Sequence, residues 1–424
     1  MKRQRGHKVR LYLTPDQLVT VDDQGHGARA MWNLLHELWQ MTPKCQRSLA
    51  RMDEAIREAR KEIPWLGAVP AQAAQAVLKT YHRAWVNSWK GRAASPTFKK
   101  RTSRRAVDIP QGRDLRITRL SGHWGQCWVP MVGLVKFRWT KDLPVGKRAD
   151  KLNRVTGARL VKEANGWHIV FRVQTEVDEP KPHMGGGVGI DRGINKPLAL
   201  SDGSFREHGE WLRPKEKERL RRLERTAARK RDHRKPGERN SNRIKRTFDQ
   251  IKQLRARATR RALDWQHKAT TELADTFGVV GVEDLTIANM VRSAKGTVEA
   301  PGKNVRQKAG LNRSISGEAW GRTVTMLEYK LADRGGHLFK VPAPNTSRRC
   351  HACGFITEGS RESQARFVCK NKTCGWSGNA DTNASFNVEI ATRNTAPQDI
   401  VGARTWSLSR WAGREASTTH PVAR

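Results

Sequence analysis

Four cysteines late in the sequence constrain the fold more than any other feature. They form two pairs, Cys350 with Cys353 and Cys369 with Cys374, and a glycine follows each pair. Four thiolates from two such knuckles complete the tetrahedral coordination of zinc, and glycine lets the backbone turn closely around the metal. The sequence therefore predicts one structural Zn²⁺ ion held by these four cysteines.

The pattern argues against a disulfide or redox role for the cluster. Six cysteines in 424 residues are too few for a disulfide scaffold, and a redox CxxC motif would not need a second pair. Because the cysteines fill all four coordination positions, the site predicts a structural ribbon and says little about function. His351, between the first two cysteines, is expected to be a surface residue.

The charge of the chain narrows the choice of partners. It has 81 Lys and Arg against 41 Asp and Glu, a net charge of +40. A folded chain this basic favours a polyanionic partner, with nucleic acid ahead of an anionic membrane surface. No apolar run approaches the roughly 18 residues of a membrane span, and no signal-type apolar core follows the basic N-terminus. A secreted or membrane protein is therefore not expected.

The N-terminal part alternates between strand and helix patterns. His7–Leu13 reads as a strand, apolar residues then recur at helical spacing, and strand patterns return from about residue 106. We predict a β-barrel built from 1–24 and 101–180, with a helical insertion over 25–100. A Pro- and Gly-rich linker follows over 181–187.

A long basic segment follows the linker. Residues 213–261 hold 21 Lys and Arg but six acids, with helical spacing broken at Pro236-Gly237. Charge blocks are usually solvated faces, but an excess this one-sided favours a surface that follows phosphates. We predict a hairpin of two basic helices.

Three carboxylates form a pattern that none of them forms alone. Asp191 ends one apolar strand, Glu283 ends a later one, and Asp381 begins a helix. In a ribonuclease-H-type fold these places converge at one edge of the sheet. Clustered carboxylates repel one another and call for divalent cations. Two Mg²⁺ ions there would activate water and stabilise the leaving oxygen of a phosphodiester.

With these motifs in this order, the chain resembles the transposon-encoded RNA-guided nucleases called TnpB and the miniature type V CRISPR effectors related to them. The resemblance covers about residues 5 to 390. It lies in three RuvC-type motifs, in a zinc ribbon before the third motif, and in the N-terminal segment Ala94–Lys99. The first motif is Gly189–Gly193 with Ser201–Gly203, the second is Val282–Leu285 with Asn289-Met290, and the third is Asn379–Ala384 with Asn387. The chain departs from the family in its C-x4-C second knuckle, in Asn345 where an aromatic is common, and in Ser385 where alanine is usual.

The resemblance implies a bilobed protein of the α/β plus β-barrel class. The barrel would be a wedge domain and its helical insertion a recognition domain. A RuvC domain would span 188–344 and 376–394, with the zinc ribbon inserted over 345–375. The tail over 395–424 is expected to be disordered.

The resemblance also implies a function. A guide RNA would pair with the target strand of double-stranded DNA, and Asp191, Glu283 and Asp381 would bind two Mg²⁺ ions and cleave it. The protein would act as a monomer or as a dimer on one RNA, in the bacterial cytoplasm with the nucleoid. The residues expected to contact nucleic acid are Gln75, Lys79, Lys99, Arg221, Arg225, Arg229, Arg243 and Lys252; of these, Gln75 and Lys79 would face the DNA motif that flanks the target.

Several alternatives to guided cleavage stay open. The chain could be a guided DNA-binding factor or repressor that does not cleave, although the three acids are all present. It could be a transposase, since that class also uses three carboxylates. A structural zinc protein that binds RNA leaves the order of the carboxylates unexplained. The choice between transposon nuclease and CRISPR effector depends on the neighbouring DNA.

Overall fold

The computed structural model divides into two compact units, Met1–Asp178 and Glu179–Arg424. The residues that the structure describes are 1–146, 149–233, 238–297, 299–401 and 405–406. None of the helices in this part of the chain has the length and apolar character that crossing a membrane requires.

The first unit is built on one antiparallel sheet of seven strands. They are β1 (Lys2–Tyr12), β2 (Ala106–Ile109), β3 (Thr118–Arg119), β4 (Trp124–Val129), β5 (Gly133–Arg138), β6 (Arg154–Glu163) and β7 (Gly166–Glu176). Their order in the sheet is β2-β6-β7-β1-β5-β4-β3. No ladder among the described residues joins β2 to β3, so a closed barrel stays a prediction.

Helices enter between the first two strands, as predicted. They are α1 (Pro15–Met41), α2 (Leu49–Glu62), α3 (Pro64–Gly67) and α4 (Ala71–Trp89), with a short 3₁₀ helix at Lys44–Gln46. A second 3₁₀ helix, Arg113–Leu115, follows β2. The predicted start of the helical region near residue 25 was wrong, because α1 begins at Pro15. Thr14 and Gln17 cap that start reciprocally, each side chain accepting from the other's backbone N–H.

A half-buried carboxylate fixes α1 against the sheet. Asp22 accepts hydrogen bonds from the Trp167 indole at 2.9 Å, from Lys162 at 2.9 Å and from Arg105 at 3.0 Å. Two cations and an indole N–H offset the cost of removing this carboxylate from water. The helical region and the sheet thus share one core, with Trp167 1% exposed.

The second unit contains a mixed sheet of five strands. They are β8 (Gly187–Asp191), β9 (Leu198–Leu200), β10 (Phe205–Arg206), β11 (Val279–Glu283) and β12 (His337–Val341), in the order β10-β9-β8-β11-β12. β8, β11 and β12 run parallel, and β9 is antiparallel to β8. The carboxyl ends of β8 and β11 are therefore neighbours, with Ile190 opposite Val282.

Helices and a small hairpin complete the part of this unit that the structure describes. The helices are α5 (Pro214–Asp232), α6 (Asn242–Thr276), α7 (Ile287–Met290), α8 (Val305–Glu318), α9 (Trp320–Ala332), α10 (Ala380–Thr395) and α11 (Gln398–Val401). A 3₁₀ helix lies at Glu358–Ser360, and β13 (Arg366–Val368) pairs with β14 (Ser377–Asn379). The two basic helices are confirmed as α5 and α6, and the predicted break at Pro236-Gly237 lies outside the described residues.

Two expected boundaries in this unit were wrong. Helix α6 continues beyond Arg261 to Thr276, because Ala262 and Leu273 are buried on a face that packs against its neighbours. The tail is also ordered in part, since Trp406 is 4% exposed and packs on Val279. The rest of the tail, 402–404 and 407–424, lies outside the described residues.

Helix α10 packs so closely on the sheet that it leaves no room for side chains on two strand residues. A Cβ on Gly189 of β8 would lie 2.3 Å from the Ser385 carbonyl and 2.4 Å from the Glu389 nitrogen. A Cβ on Gly281 of β11 would lie 1.9 Å from the Thr392 hydroxyl. Glycine in both strands thus lets the helix approach, so that its first turn reaches the carboxyl ends of β8 and β11.

Gly189→Ala tests this close approach. The added methyl group would meet backbone atoms that cannot rotate away, so we expect the free energy of unfolding to fall by about 1–3 kcal/mol or more. Thermal unfolding of the full chain measures the effect. Gly209→Ala is the matched control, because a Cβ there would meet nothing within 4 Å. Equal melting temperatures for the two variants would contradict the packing argument.

Candidate functional site

Three carboxylates from separate parts of the second unit line one cavity. Asp191 is the last residue of β8, Glu283 is the last residue of β11, and Asp381 lies in the first turn of α10. All three border a cavity of about 310 Å³. The structure therefore brings together the three acids that the sequence selected.

Burial and neighbouring charges raise the pKa of two of these carboxyl groups, Asp191 and Asp381. The pKa of Asp191 is raised to about 7, mainly by burial and further by the negative charges of Glu283 and Asp381. Burial also raises the pKa of Asp381, and the Arg361 guanidinium opposes that rise. Clustered carboxylate oxygens are the ligands that Mg²⁺ prefers, so the donor set fits a divalent cation. Mg²⁺ binding by these carboxylates and the number of ions stay predictions.

Two arginines that the sequence did not single out contact this site. Arg361 of the ribbon donates from Nη2 to Asp381 Oδ1 at 3.0 Å. Arg192, which is 5% exposed, donates to the backbone carbonyl of Glu283. Arg361 follows no local pattern that would have identified it, whereas Arg192 stands directly after the first acid.

A threonine orients the second carboxylate. The Thr346 hydroxyl donates to Glu283 Oε1, and both side chains are buried. Thr346 stands at the start of the ribbon, four residues before Cys350. That place in the sequence was the available signal. The hydrogen bond limits the rotation of the carboxylate beside the cavity.

Amide side chains of α10 attach the ribbon to the helix that carries Asp381. Asn383 donates to the Arg349 carbonyl at 2.7 Å and accepts from the His351 backbone N–H at 3.0 Å. Asn387 donates to the carbonyls of Arg349, at 2.7 Å, and Thr346, at 2.9 Å. These bonds hold the base of the ribbon on the helix next to the third carboxylate.

The expectation of a surface position for His351 was wrong. Its Nδ1 lies 3.1 Å from Asn383 Oδ1, and its ring packs against Trp376 and Phe386 at centroid distances of 4.4 and 4.5 Å. The knuckle therefore folds against α10, and His351 lies between them.

The four cysteines converge as predicted. Their sulfur atoms all lie within 4.8 Å of one another, with 3.9 Å between Cys350 and Cys374 and 3.5 Å between Cys353 and Cys369. Zinc–sulfur bonds of about 2.3 Å in a tetrahedron place sulfur atoms roughly 3.8 Å apart. The donor set and its spacing therefore fit Zn²⁺. Among the described residues, no other group of His, Cys, Asp or Glu brings its ligand atoms this close together.

The residues predicted to contact nucleic acid lie in both units. Gln75 and Lys79 are exposed on α4. Lys99 is half-buried, with Nζ 3.7 Å from the centroid of the Trp32 ring, and burial lowers its pKa to about 8. The predicted residues of the basic hairpin are exposed and form no ion pair with any described residue: Arg221, Arg225, Arg229, Arg243 and Lys252. The contacts of all eight residues with nucleic acid stay predictions.

Curated relatives match most of the chain. It is 32% identical over 363 residues to the "Putative RNA-guided DNA endonuclease InsQ" of Escherichia coli (strain K12), covering 81% of this chain and 85% of that protein. It is 26% identical to a "Putative RNA-guided DNA endonuclease" of Streptomyces pristinaespiralis, covering 91% and 89%. A 62-residue stretch is 42% identical to the "CRISPR-associated endodeoxyribonuclease Cas12f1" of Sulfoacidibacillus thermotolerans and covers 15% of this chain and 14% of that protein.

Two family models match separate regions. The model described as "Probable transposase" (OrfB_IS605) matches residues 170–294, and the model described as "Cas12f1-like, TNB domain" matches residues 320–388. The resemblance to solved structures is weak. A chain of the "Cryo-EM structure of the Cas12f1-sgRNA-target DNA complex" has a TM-score of 0.47 at 14% identity, covering 92% of this chain and 99% of that chain. The family assignment accordingly depends on sequence.

Removal of one thiolate tests the zinc site. We expect about one zinc per purified chain and loss of most of that zinc in Cys369→Ser, because a site with three thiolates binds the ion more weakly. Inductively coupled plasma mass spectrometry measures the metal. Cys45→Ser is the control, since Cys45 is an exposed cysteine outside the cluster. Equal zinc content in both variants would exclude Cys369 as a ligand.

Proposed function

Since the chain belongs to the TnpB family, we propose that it is an RNA-guided DNA endonuclease with one RuvC-type catalytic site. The observation that carries the proposal is the cavity bordered by Asp191, Glu283 and Asp381. Each acid comes from a different element, so a shared structural role in one local turn does not account for their convergence. The names of the relatives support nucleic-acid cleavage directed by RNA.

The partners proposed are a guide RNA and double-stranded target DNA. A net charge of +40 supports two polyanionic partners. The exposed, unpaired arginines of α5 and α6 would lie along a phosphate backbone. Gln75 and Lys79 would read the DNA motif that flanks the target, since both can contact base edges in the major groove. The protein would act as a monomer or as a dimer on one RNA, in the cytoplasm of a bacterium.

The three acids would hold the metal ions, proposed to be two Mg²⁺. When bound, these ions would supply an activated water and stabilise the leaving oxygen of the phosphodiester. Thr346 keeps the Glu283 carboxylate turned toward the cavity, and Arg192 fixes the backbone from which it projects. Arg361 presents a guanidinium at the rim beside Asp381, where it would bind the phosphate being cleaved.

Asp191→Asn tests the proposal. The chain is expressed with its native flanking DNA, and the RNA that copurifies is sequenced. The particle is then incubated with Mg²⁺ and a plasmid library that carries randomised flanks. We expect one discrete structured RNA and flank-dependent cleavage, reduced about 100-fold or more in the variant because a metal ligand is lost. RNA content should not change.

Asp264→Asn is the matched control, because this carboxylate is exposed on α6 and pairs with Lys268. Cleavage that survives Asp191→Asn would contradict the assignment of the site. Flank-dependent binding without cleavage would favour the targeting factor. Strand-transfer products would favour a transposase, the activity that the description of one family model suggests.

Arg361→Ala tests the arginine of the ribbon. We expect cleavage to fall about 10- to 100-fold while RNA and DNA binding are kept, because one charge next to Asp381 is lost and the remainder of the basic surface stays. Arg366→Ala, an exposed arginine on β13 that pairs with Glu362, is the control. Equal cleavage by the two variants would show that Arg361 does not act at the site.

A further inference from the structure

A set of stacked tryptophans marks the end of α4. Trp85 and Trp89 lie one helical turn apart, and Trp39 of α1 packs against both. The ring centroids of Trp39 and Trp85 are 5.2 Å apart, those of Trp85 and Trp89 are 6.0 Å apart, and the interplanar angles are 25° and 28°. We call Trp39, Trp85 and Trp89 the tryptophan ladder.

All three rings of the ladder are in mutual contact, with 6.0 Å also between the centroids of Trp39 and Trp89, but their exposure differs and Trp89 forms the open end. Trp39 is 7% exposed, whereas Trp89 is 60% exposed. Stacking on Trp85 orders the Trp89 ring, so a planar ligand bound there would lose little further side-chain freedom. An exposed indole held in this way is a platform for an aromatic partner.

The chain segment that carries Trp85 and Trp89 is cationic. Arg83, Lys90 and Arg92 are exposed near its open end in the sequence, and none of them forms an ion pair with a described residue. The Arg47 guanidinium lies 5.0 Å from the centroid of the Trp39 ring. No acidic residue occurs between Glu62 and Asp108. A second copy of this chain would bring like charges together, whereas nucleic acid supplies both planar bases and negative charge.

We propose that Trp89 stacks on an unpaired base of the guide RNA, while Lys90 and Arg92 contact the adjoining phosphates. The inference rests on the proposed function and adds a binding site to it. RNA is the source we assign, because folded RNA offers bases in loops and bulges that stack on aromatic side chains. Bases of a DNA duplex are already stacked on each other.

Crosslinking of the intact ribonucleoprotein locates the contact. The full chain is purified with its native RNA and irradiated at ultraviolet wavelengths, and its peptides are analysed by mass spectrometry. Trypsin cuts after Arg83 and Lys90, so the peptide Ala84–Lys90 carries two of the three ladder residues. We expect a ribonucleotide adduct on Trp89 in this peptide.

Substitution of Trp89 measures its contribution. The copurifying RNA is transcribed in vitro, and its affinity for the full chain is measured by filter binding over a series of salt concentrations. Trp89→Ala should weaken RNA binding at least about fivefold at every salt concentration. The slope of log affinity against log salt concentration should not change, because stacking releases no counterions. Trp89→Phe should recover most of the affinity for RNA. The double variant Lys90→Ala with Arg92→Ala should make that slope less steep.

Trp65→Ala is the matched control. Trp65 is 55% exposed on α3 and stacks on no aromatic ring among the described residues, so its removal should leave RNA affinity unchanged. Because Trp89 is the last residue of its helix, its substitution is expected to leave the fold intact. The melting temperatures of the variants are compared with that of the wild-type protein. A lower melting temperature of Trp89→Ala, or a failure of Trp89→Phe to recover affinity, would identify a loss of affinity that comes from misfolding.

The outcomes separate this inference from the proposed function. The inference alone would be overturned by two results together: the Trp89→Ala variant cleaves under guidance with unchanged RNA affinity, and the wild-type protein gives no ribonucleotide adduct on Trp89. An adduct to DNA and not RNA would overturn the assignment of the partner. A dimer that Trp89→Ala dissociates, with RNA affinity unchanged, would show a protein interface instead. Absence of any discrete RNA from the wild-type protein would overturn the proposed function itself.

Discussion

The contact between α10 and the strands β8 and β11 is the constraint on which the candidate site depends. Gly189 lets the helix backbone lie directly on β8, and Gly281 leaves room on β11 for the Thr392 side chain of the helix. Two acids stand at the ends of these strands, and the third stands in the first turn of the helix. A wider separation would move Asp381 away from Asp191 and Glu283 and divide the cavity.

The zinc ribbon takes part in this arrangement and is more than an attached module. Asn383 and Asn387 bind its backbone, and Arg361 reaches from it to Asp381. Its base also begins at Thr346, which holds Glu283. The four-cysteine cluster thus stabilises a loop that contacts two of the three carboxylates, although the cysteines themselves lie outside the cavity.

Local patterns were enough to predict the elements that carry the acids. The strands β8 and β11 are short apolar runs, and Asn379 caps α10 by accepting from the N–H groups of Asp381 and Thr382. Tertiary contacts decided what could not be predicted. Arg361, for example, meets Asp381 because the ribbon folds back onto α10. The early start of α1, by contrast, follows from the local capping box of Thr14 and Gln17. Two of the three departures from the family pattern are accommodated by local geometry: Asn345 adopts the left-handed region at φ 66°, and the buried Ser385 hydroxyl donates to the Thr382 carbonyl at 2.8 Å.

The order of the elements along the chain sets when the site can exist during synthesis. β8 and β11 leave the ribosome well before α10, and without that helix the sheet lacks the cover that packs on its glycines. The ribbon also emerges between the second acid and the third. A nascent chain therefore carries the basic helices α5 and α6 before its three carboxylates can assemble. The cluster of acids is completed late in the synthesis of each molecule.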